Sequence, residues 1–106
     1  MSVPDLKGLI ETAQRLQAEV VRVREQLASK TVEGETGGGL VRCVASGRGD
    51  VLSITIDPAV FADKKMVEDL VVGAVNVALE RARELAQSEL GRVTGGLPLP
   101  PGMFGS

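Results

Sequence analysis

The apolar positions change period along the chain, and each change marks an element. From Leu6 to Leu27 they fall at Leu6, Leu9, Ala13, Leu16, Val20, Val23 and Leu27, alternately three and four residues apart. Such a heptad repeat, with charged residues between, predicts a helix of about 25 residues, roughly 40 Å long, that packs lengthwise against another helix in this chain or a partner's. Ser2 followed by Asp5 predicts a capping box at its start, with Pro4 tolerated in the first turn. From Thr31 to Pro58 the sequence TVEGETGGGLVRCVASGRGDVLSITIDP predicts three antiparallel strands, at 31–36, 40–46 and 51–57. The glycines at 37–39 and the Gly-Arg-Gly-Asp at 47–50 supply the tight turns between them. In the third strand Leu52, Ile54 and Ile56 alternate with Val51, Ser53, Thr55 and Asp57, and Pro58 stops the ladder. From about Lys64 to Leu90, Val67, Leu70, Val71, Ala74, Val77, Ala78, Ala82, Leu85 and Ala86 form a broad helical stripe that should cover the sheet.

The predicted fold class is therefore α+β: a long N-terminal helix, a three-stranded antiparallel meander, a long second helix and an extended Pro/Gly tail. With 106 residues and no earlier break in composition, residues 1–93 are expected to form one domain and 94–106 a tail. About 65% of the unfolded surface of such a chain can be buried. Only Phe61 and Phe104 are aromatic, so the core must come from Val, Leu, Ile and Ala. A long seam helix on three strands leaves apolar surface uncovered in a monomer, which points to a homodimer. The alternative is a monomer whose first helix folds back on the second.

Candidate chemistry is sparse. There is no histidine, which removes the usual general base and the commonest metal ligand and weighs against an enzyme. Gly37–Gly39 lead into a strand and precede no Lys-Ser or Lys-Thr pair, so they are a turn and no phosphate loop. Glu33 with Glu35, and Glu68 with Asp69, lack the spacing of a calcium loop. No cofactor or metal is expected. Cys43, the only cysteine, sits mid-strand as a small buried hydrophobe. With no signal peptide and no run of about eighteen apolar residues, the expected location is the cytoplasm, without a membrane partner. The net charge of −2 gives no bulk attraction to nucleic acid, so any basic site must be local. The tail segment Leu97-Pro98-Leu99-Pro100-Pro101 favours polyproline II geometry and could lie along a surface or reach a protein partner.

Four segments, in order, carry a resemblance to a known family. These are VEGETGGGLVR at 32–42, ITIDP at 54–58, MVEDLVVGAVNVAL at 66–79 and TGGLPLPPGM at 94–103. Together they resemble the YbaB/EbfC family of small bacterial nucleoid-associated proteins along nearly the whole chain. The resemblance implies a tweezer-shaped homodimer with protruding helices that binds duplex DNA in the nucleoid with little sequence preference and takes part in chromosome organisation. Val77 departs from the pattern, since the family usually carries an acidic residue after the asparagine that is here Asn76.

Candidate DNA-binding residues are Arg15, Arg22 and Arg24 on the first helix and Arg81, Arg83 and Arg92 on the second, with Lys7 and Lys30 nearby. Arg15 and Arg22, seven apart, share a face away from the heptad seam, where a guanidinium fork can reach phosphate oxygens. The competing reading is local pairing of Glu11 with Arg15, Glu19 with Arg22, and Glu80 with Arg83. The helices lack aromatic residues for stacking, which favours duplex over single strands. The rival function is a dimeric protein–protein interaction module without direct DNA binding, using the seam and the tail.

Overall fold

The structure, a computed structural model, describes residues 5–93. The expectations for Ser2, Pro4 and the Pro/Gly tail lie outside those residues. The elements run α1 (Leu6–Ser29), β1 (Thr31–Thr36), β2 (Val41–Ser46), β3 (Val51–Ile56) and α2 (Lys64–Val93), with short 3-10 turns at Gly37–Gly39 and Pro58–Ala62. The sheet order is β1-β2-β3, antiparallel throughout. This is the α+β meander expected, flanked by two long helices.

Several boundaries differ from the sequence reading; β2 begins at Val41, one residue later than expected, and α2 runs past Leu90 to Val93. The N-cap of α1 is Asp5 itself, whose carboxylate accepts the Gly8 N–H at 3.1 Å, so Asp5 is not the third residue of a box begun by Ser2. An aspartate satisfies an orphan N–H of the first turn as well as serine does and adds charge favourable to the helix dipole. The third strand runs to Ile56; Asp57 still donates its backbone N–H to the Leu40 carbonyl at 2.8 Å, while its carboxylate accepts the Ala59 N–H and caps the 3-10 turn at Pro58–Ala62. That turn buries Val60, and Asp63 then caps α2 by accepting the Met66 N–H.

The first hairpin bends through three glycines, all with positive φ, as their sequence required. The second turn is held by Ser46, whose buried hydroxyl accepts the Arg48 and Asp50 N–H groups. Strand β3 departs from the regular alternation expected of it. Val44 pairs with Ser53 but Ala45 pairs with Val51, leaving Leu52 as the extra residue of a bulge.

The core lies between α2 and the sheet, where Val41, Cys43 and Ala45 of β2 meet Ala74 and Ala78 of α2. Val32, Ile56, Leu70, Val71, Val75 and Leu79 close around them. Every fully buried side chain here is small, and that lets the helix lie close. Gly34 of β1 sets the distance: a Cβ there would stand 2.5 Å from the Ala78 N and nearer still to the Ala74 carbonyl oxygen. Alongside, Thr36 donates its hydroxyl to the Leu70 carbonyl at 2.6 Å, and Arg81 donates to the Glu33 carbonyl. From Leu70 to Arg81, α2 thus runs antiparallel to β1. It covers β1 and β2 but leaves β3 at the rim, with Leu52 56% and Ile54 41% exposed.

One residue, Lys30, separates α1 from β1, so α1 also runs opposite to α2. The two helices meet only by their C-terminal halves, through Val23, Leu27 and Leu90, with Val20, Leu85, Ala86 and Val93 around them. The heptad seam is therefore half used. Val93, the last described residue of α2, packs against the Val23 cluster, and the part of α1 carrying Leu6, Leu9 and Leu16 has no cover among the described residues. The molecule is correspondingly long, 74 × 23 × 16 Å.

Gly34→Ala should destabilise the fold by at least about 3 kcal/mol, since the new methyl can be seated only by lifting α2 off β1. Gly38→Ala, where nothing lies within 4 Å but φ is 68°, should cost only about 1 kcal/mol of backbone strain. Urea denaturation of both variants checks the ranking, and equal losses would show that close approach is not the constraint.

Candidate nucleic-acid interface

Basic residues can serve a phosphate backbone only if their guanidinium groups are exposed and uncommitted. The six arginines predicted from sequence separate on this criterion. Arg81 is committed, since its bond to the Glu33 carbonyl ties α2 to the edge of β1. Arg83 is held by Glu80 through two nitrogens, at 2.8 and 3.1 Å. Arg22 pairs with Glu19, and Arg92 lies 3.6 Å from Glu89. Both guanidinium groups are exposed although Glu89 is largely buried, and the Arg22–Glu19 pair, exposed on both sides, is worth about 0–1 kcal/mol, so a phosphate can compete for either arginine. Arg15 and Arg24 have no side-chain partner among the described residues; the expected Glu11–Arg15 pair does not form.

Helix geometry divides the α1 arginines into two flanks. Arg15 and Arg22, seven residues apart, lie on one side, whereas Arg24, nine residues beyond Arg15, is turned by about 180°. Where the helices meet, Arg22 and Arg92 line a common cleft of about 260 Å³ with Glu19, Glu89, Val23 and Val93. Arg92, Arg22 and Arg15 thus form a row from the end of α2 out along the projecting part of α1. Arg81 and Arg83 lie further back on α2 and do not join it.

Glu89 organises the base of this row. Its carboxylate accepts from Lys30 at 3.0 Å and faces Arg92, joining the α1–β1 junction to the last turns of α2. The Lys30 hydrogen bond, with the positive charge of Arg92 and Lys30, holds Glu89 below its ordinary value of 4.5 against an opposing effect of burial. Burial pushes the Cys43 thiol up, as suits an inert core residue.

Arg48 is a basic residue that spacing and periodicity do not single out, because its sequence context marks it only as part of a turn. The structure leaves it exposed at the β2–β3 tip, and no partner holds its side chain among the described residues. The neighbouring Gly47 N–H donates to the Lys30 carbonyl, so that tip sits against the end of α1. A basic residue between two glycines at a hairpin apex is the available signal. Among the described residues, no cluster of three or more Cys, Asp or Glu could hold a metal ion, and no helix is long and apolar enough to cross a membrane.

The fold is thus an elongated α+β meander with a projecting helix that carries exposed arginines. The chain belongs to the YbaB/EbfC DNA-binding family, whose model matches residues 1–97. It is 45% identical over 102 residues to a nucleoid-associated protein of Thermoanaerobacter sp., covering 94% of this chain and 91% of that one. It is 48% identical over 99 residues to a nucleoid-associated protein of Bordetella avium, covering 92% of each. The crystal structure of an uncharacterized protein from Helicobacter pylori shares the fold, with a TM-score of 0.72 over 90% of this chain and 99% of that chain, at 21% identity.

Because Glu89 has a depressed pKa in the folded state, its contribution to stability is present above the unfolded value and is lost as pH falls through the folded one. Glu89→Gln should therefore be less stable than the parent at neutral pH, and the difference should shrink toward zero as the pH is lowered below about 4. Denaturation midpoints of both proteins from about pH 7 to about pH 2 test this; a difference independent of pH would mean that the carboxylate's charge plays no part.

Proposed function

We propose that the chain is a nucleoid-associated protein that binds duplex DNA as a homodimer with little sequence preference, through arginines on its projecting helices. The observation that carries the reading is the row Arg92, Arg22 and Arg15, which runs from the end of α2 out onto the part of α1 that projects beyond it. Arg24 supplies a second flank of α1, and Arg83 and Arg81 stand behind as lesser contacts because they are already engaged. Membership of a DNA-binding family and likeness to nucleoid-associated proteins support it. Overall charge does not help, so affinity must come from local release of counterions at phosphates.

A homodimer is supported by the incomplete cover over the sheet. Leu52 and Ile54 are exposed on a strand whose outer edge carries no partner among the described residues, next to buried Cys43. A second copy packed there would cover both and abolish the open edge. Two copies would double each arginine contact and set two arms along one duplex. A location in the nucleoid follows from the same reading.

Titrating a labelled duplex of about 30 base pairs by fluorescence anisotropy should give saturation whose log affinity falls linearly with log salt. In a dimer, replacing Arg15 or Arg22 by Gln should reduce that slope by about 2, one phosphate contact from each copy. The charge reversals Arg15→Glu, Arg22→Glu and Arg24→Glu combined should abolish binding with the dimer intact, whereas Arg83→Glu should weaken it little. Undiminished affinity in the triple variant, checked by light scattering to be dimeric, would overturn the assignment. Ile54→Glu should yield monomers, and a dimer that survives it must use another surface.

A further inference from the structure

The stripe on the projecting part of α1 is not needed for the arginine row and is not covered by α2. Leu6, Leu9, Ile10 and Leu16 are 65%, 58%, 57% and 47% exposed, and the stripe runs directly into buried Val23 and Leu27. The cover stops where α2 stops. Val93, the last described residue of α2, packs against the Val23 cluster, and the stripe has no cover beyond it among the described residues. Since α2 runs antiparallel to α1, a chain continuing past Val93 heads toward the N-terminus of α1.

Beyond Val93 the chain reads TGGLPLPPGMFGS, thirteen residues without a charged side chain that carry Leu97, Leu99, Met103 and Phe104. The lengths agree. From Val20 to Leu6 is about fourteen residues, or about 21 Å of helix. The segment from Leu97 to Phe104 spans about 25 Å in polyproline II geometry, which its prolines favour in advance and which lowers the entropy lost on ordering. An uncharged segment also brings no ion that must be stripped of water on an apolar helix face.

We propose that residues 97–104 of the same chain dock in extended form along the Leu6, Leu9, Ile10 and Leu16 stripe of α1. The segment continues the cover that α2 provides further back and leaves Arg15 and Arg22, on the face of α1 away from the stripe, open to solvent. The inference is independent of DNA binding, and its test uses no DNA.

The test is paramagnetic relaxation in the full chain. Gly105→Cys is labelled with a nitroxide, while fully buried Cys43 stays unlabelled under native conditions. Amide signals of residues 6–16 should lose intensity relative to the reduced, diamagnetic label. Adding Leu97→Ser, Leu99→Ser and Phe104→Ser should restore them and speed hydrogen exchange in that stretch by about tenfold or more, with the sheet signals unchanged. Absence of broadening would overturn the proposal. So would broadening confined to mixtures in which the nitroxide and the isotope label are on different chains, which would make the occupant a second copy. Broadening that survives the triple serine variant would also overturn it, because the apolar side chains would then not be what docks.

Discussion

The close approach of two backbones at Gly34 governs the rest of the architecture. An α-helix lies on a strand at this distance only if neither presents a bulky side chain at the crossing, and here the strand offers glycine and the helix offers Ala74 and Ala78. Small residues then suffice to fill the space, and a core of Val41, Cys43 and Ala45 without a buried aromatic becomes workable. The contact also sets direction. With Thr36 bonded to Leu70 and Glu33 to Arg81, α2 is locked antiparallel to β1, and α1, joined to β1 by one residue, must keep to the same line.

That line makes the arm. Because the first half of α2 lies on the sheet, only its second half remains to pair with α1, and its last described residue, Val93, packs against the cluster of Val23 and Leu27. The projecting helix is thus a consequence of how α2 is shared between two partners. Electrostatics obey the same division. Near the sheet, Arg81 is engaged by a backbone carbonyl and Arg83 by Glu80; toward the arm, Arg92 and Arg22 keep exposed guanidinium groups in single ion pairs, and Arg15 has no side-chain partner among the described residues. A chain of net charge −2 can in this way still present a local basic row.

Both helices, the three strands and their order were legible in the sequence, because period and turn chemistry are local properties. The glycines at 37–39 announced positive φ, and all three have it. The Leu52 bulge was not legible, since Leu52, Ile54 and Ile56 alternate without fault and the shift arises from pairing across to Val44 and Ala45. Arginine commitments were partly legible. The Glu19–Arg22 and Glu80–Arg83 pairs come from helical spacing, whereas the bond from Arg81 to Glu33 spans 48 residues and has no local signature.

By itself, then, the sequence determined which segments are helix and strand, where the chain turns, that the core is aliphatic and that positive charge is placed on the helices. These depend on periodicities and backbone preferences a few residues long. Only the tertiary structure decided that Gly34 is the point of contact, that the heptad seam is half covered, that β3 stands at the rim, and which arginines remain available. Each of those depends on which distant backbone lies alongside, and spacing within one element carries no record of that.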